Sequence, residues 1–135
     1  MTDEHKKIQI AAEIKRGEES LRAADGLLWL QLYNDAVSRF YYAVFHFASA
    51  TLLSVDISAK SHRALITLFS EHLVLAGKFS PRHVSQLRSL QGLRESADYD
   101  RSFSFDEDGA NDQAAIARRL IDDFRAYLKS GGWIS

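Results

Sequence analysis

Two groups of side chains in this 135-residue chain have types and spacing suited to acid–base or anion chemistry. The first is Asp35, Arg39, Tyr42, His46 and Ser49, within the segment NDAVSRFYYAVFHFASATLLSV. Their spacing stacks them on one face of a helix. Imidazole takes up and releases a proton near neutrality, and a guanidinium holds phosphate or carboxylate through its N–H fork. The second group is Arg94 and Asp98 in LRESADYD, one helical turn apart and able to pair.

The helix that carries the first group is apolar on almost every other side, and such a helix is normally buried. A charged side chain on a buried helix needs a partner, because an unpaired buried charge is costly. The polar line therefore faces a cleft, a partner subunit or an internal hydrogen-bond network. On an ideal wheel Leu87, Leu90, Leu93 and Ala97 form the apolar side of the helix that carries the second group. Arg94 falls between Leu87 and Leu90, so its pair with Asp98 sits beside leucines and is partly desolvated. The pair reads either as a structural ion pair or as one wall of a cleft. Tyr99 lies off to one flank.

The elements that must position these groups are all helical. Ala, Leu, Glu and Arg abound and proline occurs once, at Pro81. The first helix is expected over residues 3–30, with Ile10, Ile14, Leu21, Ala24 and Leu28 as a packing stripe and Gly17 in its remaining slot. Gly26 marks a bend or an early end. The second runs from Asn34, as N-cap, to about Val55. The third covers residues 59–76, with Leu65, Leu68, Phe69, His72, Leu73 and Ala76 inward and Ser58 as cap. The fourth starts at Ser80–Pro81 and runs to Tyr99. A loop pinned by Phe103 and Phe105 follows, and the fifth helix begins near Asn111. Short connections favour antiparallel neighbours. The expectation is one all-α domain over residues 1–135, an up-and-down four-helix bundle with an additional C-terminal helix.

Composition narrows the function. Without cysteine there is no disulfide framework, thiolate zinc site or cysteine nucleophile. A net charge of −1 argues against a strongly basic nucleic-acid binder, though not against a local patch. No apolar run approaches the length of a membrane helix and the start, MTDEHKK, is charged, so a cytoplasmic location is expected. His5, His72 and His83 have no partner at metal-ligand spacing, and no HExxH, ExxH or glycine-rich phosphate loop occurs. No metal or cofactor is expected.

The segments AVSRFYYAVFH (36–46), KSH (60–62) and LRESADYD (93–100) together resemble the HEPN domain family. The likeness is to its small stand-alone bacterial and archaeal members, with an S-R-x-Y-Y-A-x-F-H helix and an R-x-x-A-D-Y segment, and it spans residues 10–128. The resemblance implies a helical bundle that forms a homodimer, here through helices two and four, with a polar cleft at the interface. Many such proteins are metal-independent ribonucleases acting as toxins beside a nucleotidyltransferase antitoxin; others bind nucleotides or act as scaffolds.

Metal-free RNA cleavage needs a base for the 2′-hydroxyl, an acid for the leaving oxygen and a cation for the phosphorane. The family's nuclease motif is an arginine followed within a few residues by a histidine. Arg94 stands in the arginine position, but Asp98, Tyr99, Asp100 and Arg101 follow it. That departure leaves both an enzyme and a non-enzymatic interaction module open. Arg39 and His46, six residues between them, match the pattern on a different helix. On the catalytic reading His46 is the acid–base group and Arg94 the cation. Arg39, Tyr42, His62, Asp98 and Tyr99 would then bind RNA or a nucleotide, the tyrosines by stacking or hydrogen bonding. The bland alternative for Arg39, Tyr42 and His46 is a network that fixes helix packing.

Overall fold

The computed structural model describes residues 2–135, and it is all-helical. Five α-helices follow in order among those residues: α1 (Asp3–Trp29), α2 (Tyr33–Leu53), α3 (His62–Phe69), α4 (Pro81–Tyr99) and α5 (Glu107–Ser130). A π-helical turn, Ser70–Val74, continues α3. The apolar α2 is the centre, packed by α1, α5 and α4. Phe40 and Phe47 of α2, Phe69 of α3 and Leu120 and Phe124 of α5 are fully buried there.

α1 is positioned by its predicted stripe, in which Ile10, Gly17 and Ala24 are buried. Gly17 lets the two helices pack tightly: a Cβ built on it would lie 2.8 Å from the Phe47 ring. Gly26, by contrast, does not end the helix, which continues to Trp29. Gln31, at φ 64°, turns the chain tightly into α2.

Several boundaries differ from the expectation, each for a tertiary reason. Asn34 lies inside α2 and does not cap it; its Oδ1 accepts from the Phe105 N–H at 2.8 Å and its Nδ2 donates to the Phe103 carbonyl at 3.3 Å. Together with buried Phe105, this clasps the α4–α5 loop to α2. α5 begins at Glu107, before Asn111, because the Asp106 carboxylate caps it, accepting from the Gly109 N–H at 2.7 Å. α3 starts only at His62, where Ser61 caps it through the Ala64 N–H at 3.0 Å. The wider π turn, with a Leu75 N–H to Ser70 carbonyl bond, then changes the register. His72 and Ala76, expected to face inward, are exposed, while Leu73 and Phe79 are buried.

Ser80 and Pro81 open α4 as expected. His83 is held by hydrogen bonds. Its Nδ1 accepts from the Ser80 N–H at 3.0 Å, so Nε2 carries the proton and donates to Asp123 Oδ2 at 2.9 Å. This buried histidine ties the start of α4 to α5.

Candidate phosphate-binding face

Tyr42, near the middle of α2, is the hub of the candidate site. The Arg94 guanidinium carbon lies 5.6 Å from its ring centre and that of Arg39 lies 5.8 Å away. The two arginine-bearing helix edges therefore meet at one aromatic ring, although Arg39 is exposed and Arg94 is mostly buried. Arg94 Nη1 donates to Asp98 Oδ2 at 2.9 Å and to the Tyr42 hydroxyl at 3.4 Å. The guanidinium also lies 5.1 Å from the Tyr41 ring centre. Burial opposes the charge on Arg94, but Tyr42, Asp98 and Tyr41 outweigh it, so the net shift holds the cation in place. The ion pair is thus a structural bond at the edge of the candidate site.

His62, the first residue of α3, joins this group. Its Nδ1 lies 2.5 Å from the Tyr41 hydroxyl, and its ring centre is 3.8 Å from that of Phe45. Burial, then Arg94 and then His46 push its pKa below the ordinary histidine value. Tyr41 is itself buried, and that burial raises its pKa far enough to keep the phenol protonated.

His46 turns toward α1 and away from Arg94. Its Nδ1 donates to Glu13 Oε2 at 2.8 Å, which orients the ring and leaves Nε2 available to a ligand. The same histidine lines an open groove of about 420 Å³ between α1 and α2, together with Arg16, Glu19, Ser20, Ala23 and Arg39. A smaller cavity of about 100 Å³, lined by Glu13, Phe45, His46 and Ser49 among others, adjoins it. Phe45 separates the two histidines, its ring centre 6.3 Å from that of His46.

The structure therefore gathers Arg39, Tyr42, His62, Arg94 and Asp98, with His46 on the adjoining groove. Of the polar line on α2, Asp35 is exposed at one end and Ser49 is half-buried at the other. Tyr99 stands apart, 78% exposed. Glu13, Arg16, Tyr41 and Phe45 belong to the face, and sequence reasoning did not single them out. Tyr41 and Phe45 lie in the YYAVFH segment, where they read as core. Nothing local signals Glu13, whose partner is 33 residues away.

In chemical terms the face offers cationic donors, aromatic surfaces and two histidines with distinct partners. Arginine and aromatic groups together suit phosphate and unstacked bases. Among the described residues no cluster of three or more His, Asp or Glu side chains is placed to hold a metal ion.

Comparison with known proteins agrees with this architecture. A "UPF0332 protein" of Gloeobacter violaceus is 43% identical over 84 residues, covering 62% of this chain and 67% of its own. A "putative toxin" of Methanocaldococcus jannaschii is 34% identical over 121 residues, covering 90% of each chain. A "UPF0332 protein" of Thermotoga maritima is 29% identical over 115 residues, covering 85% of this chain and 87% of its own. The model of the HEPN domain matches residues 11–127, nearly the whole helical body, and the chain belongs to the HEPN domain family.

Proposed function

We propose that this protein is a toxin-type HEPN module that binds RNA on the α1–α2–α4 face and cleaves it without a metal. The observation that carries the reading is the approach of Arg39 and Arg94 to the one Tyr42 ring, beside a groove holding the Glu13–His46 pair. The arginines hold the phosphodiester and Tyr42 contacts a base. His46 is the acid–base group, its ring oriented by Glu13. The name borne by the Methanocaldococcus relative supports the toxin-like role. On this reading the protein acts as a single-domain cytoplasmic homodimer joined through α2 and α4, and a nucleotidyltransferase is its antitoxin.

The test is RNA cleavage in EDTA by the wild type, His46→Ala and Arg94→Ala. Cleavage by the wild type, lost in both variants, supports the reading. No cleavage after long incubation overturns the enzyme and favours a non-enzymatic interaction or nucleotide-binding module. One observation speaks for that alternative: Arg94 Nη1 is already held by Asp98 and Tyr42, as in a packing network.

A further inference from the structure

His62 has a fixed proton. Tyr41 is buried, and an O–H on a buried residue needs an acceptor. The acceptor at hand is His62 Nδ1, at 2.5 Å. With Tyr41 donating, Nδ1 carries no hydrogen, and a neutral imidazole then carries its one N–H on Nε2. The reverse arrangement, or a doubly protonated ring, would place an N–H against the phenol and strand the phenolic hydrogen. The surroundings also oppose a cation. Phe45 covers one face of the ring, and Arg94 and His46 both repel positive charge there.

Nε2 of His62 has no hydrogen-bond partner among the described residues, and neither does Nη2 of Arg94. The two side chains rest on the same pair of rings. The His62 ring centre is 5.1 Å from that of Tyr41 and 5.8 Å from that of Tyr42. The Arg94 guanidinium carbon is 5.1 Å and 5.6 Å from the same two rings. One neutral donor and one cationic donor therefore flank a common aromatic floor. A neutral donor adds a hydrogen bond to an oxyanion without placing a second positive charge beside the guanidinium.

We infer that His62 serves as a neutral Nε2–H donor which, with Arg94, clamps a nucleic-acid phosphate, and that it is not a second acid–base group. Tyr41 is the positioning residue that sets its tautomer. The inference rests on the proposed reading that this face takes RNA.

Two measurements test it. Nitrogen-15 NMR of the full chain at pH 7 reads the tautomer directly. A neutral ring protonated on Nε2 is expected, with a shift toward a mixed tautomer in Tyr41→Phe. A ring protonated on Nδ1, or on both nitrogens, overturns the inference. The second measurement is anisotropy with a labelled oligothymidylate, which has no 2′-hydroxyl and cannot be cleaved by that route. His62→Ala is expected to weaken binding on the order of tenfold, the loss of one hydrogen bond to a charged group. His62→Gln, whose amide N–H reaches about as far as Nε2, is expected to retain most of the affinity. Wild-type binding that His62→Ala leaves unchanged, or that His62→Gln loses as fully as His62→Ala, overturns the clamp alone. A wild type that binds neither this probe nor an oligouridylate overturns the RNA reading and the clamp with it.

Discussion

His46 on α2 and Glu13 on α1 share a 2.8 Å hydrogen bond between two extensively packed helices. The bond places a carboxylate behind a histidine that opens onto the α1–α2 groove. A single turn away, Gly17 lets α1 approach the Phe47 ring, so the same close contact that builds the core also delivers Glu13 to His46.

If Glu13 orients His46, its removal lowers RNA cleavage only where His46 is present. Glu13→Ala is expected to reduce kcat/KM by on the order of tenfold or more, and Glu13→Gln, which keeps an acceptor oxygen, by less. In a His46→Ala background the Glu13 substitution should add almost nothing, since the two residues act as a unit. Additive losses would place Glu13 outside the unit.

The α1–α2 approach makes opposite predictions for two glycines of one helix. Gly17→Ala drives a methyl against the Phe47 ring and is expected to cost about 1–3 kcal/mol. Gly26→Ala meets nothing within 4 Å and is expected to stabilise by about 0.5–1 kcal/mol. Urea unfolding of the two variants checks both signs.

Stability should fall on mild acidification, in part through His62. Its folded-state pKa lies below the ordinary 6.5 because burial, Arg94 and His46 disfavour the imidazolium. The unfolded chain therefore binds more protons between that lowered value and 6.5, and stability rises with pH across the window. The contribution is complete above 6.5 and is lost as pH falls through the window. The groups facing His62 are Tyr41, Tyr42 and His46 of α2 and Arg94, paired with Asp98, of α4. Tyr41 and Arg94 are shifted as well, so the comparison is with His62→Gln. That variant should lose less stability than wild type between pH 7.5 and pH 5.5 in urea titrations.

His83 separates folding from function. It is buried, receives the Ser80 N–H and donates to Asp123 on α5, far from the Tyr42 hub. His83→Ala should lower stability by about 1–3 kcal/mol through the lost bonds, while oligonucleotide affinity stays at the wild-type level. A large loss of affinity in a folded variant would extend the site to that end of α4.

Much of this was legible in the chain because it is local. The α4 start is written in Ser80–Pro81, and the α1 stripe in the spacing of Ile10, Gly17 and Ala24. The polar line on α2 follows from helical periodicity, but its meeting with Arg94, 52 residues on from Tyr42, does not. The starts of α2 and α5 were not legible. Asn34 and Asp106 are both good caps by type, and only the packing of the 103–105 segment on α2 assigns Asn34 to the loop. Nor was the π turn after Phe69, which moves His72 to the surface.

The chain by itself determined an all-helical protein with one charged edge on its most apolar helix, since side-chain spacing along a helix depends only on near neighbours. Tertiary structure alone decided the partners of three histidines across helices: Glu13 for His46, Tyr41 for His62, Asp123 for His83. These pairs span 33, 21 and 40 residues, and each depends on how two helices are rotated against one another. Local periodicity says which face a side chain is on, but not what the neighbouring helix brings to meet it.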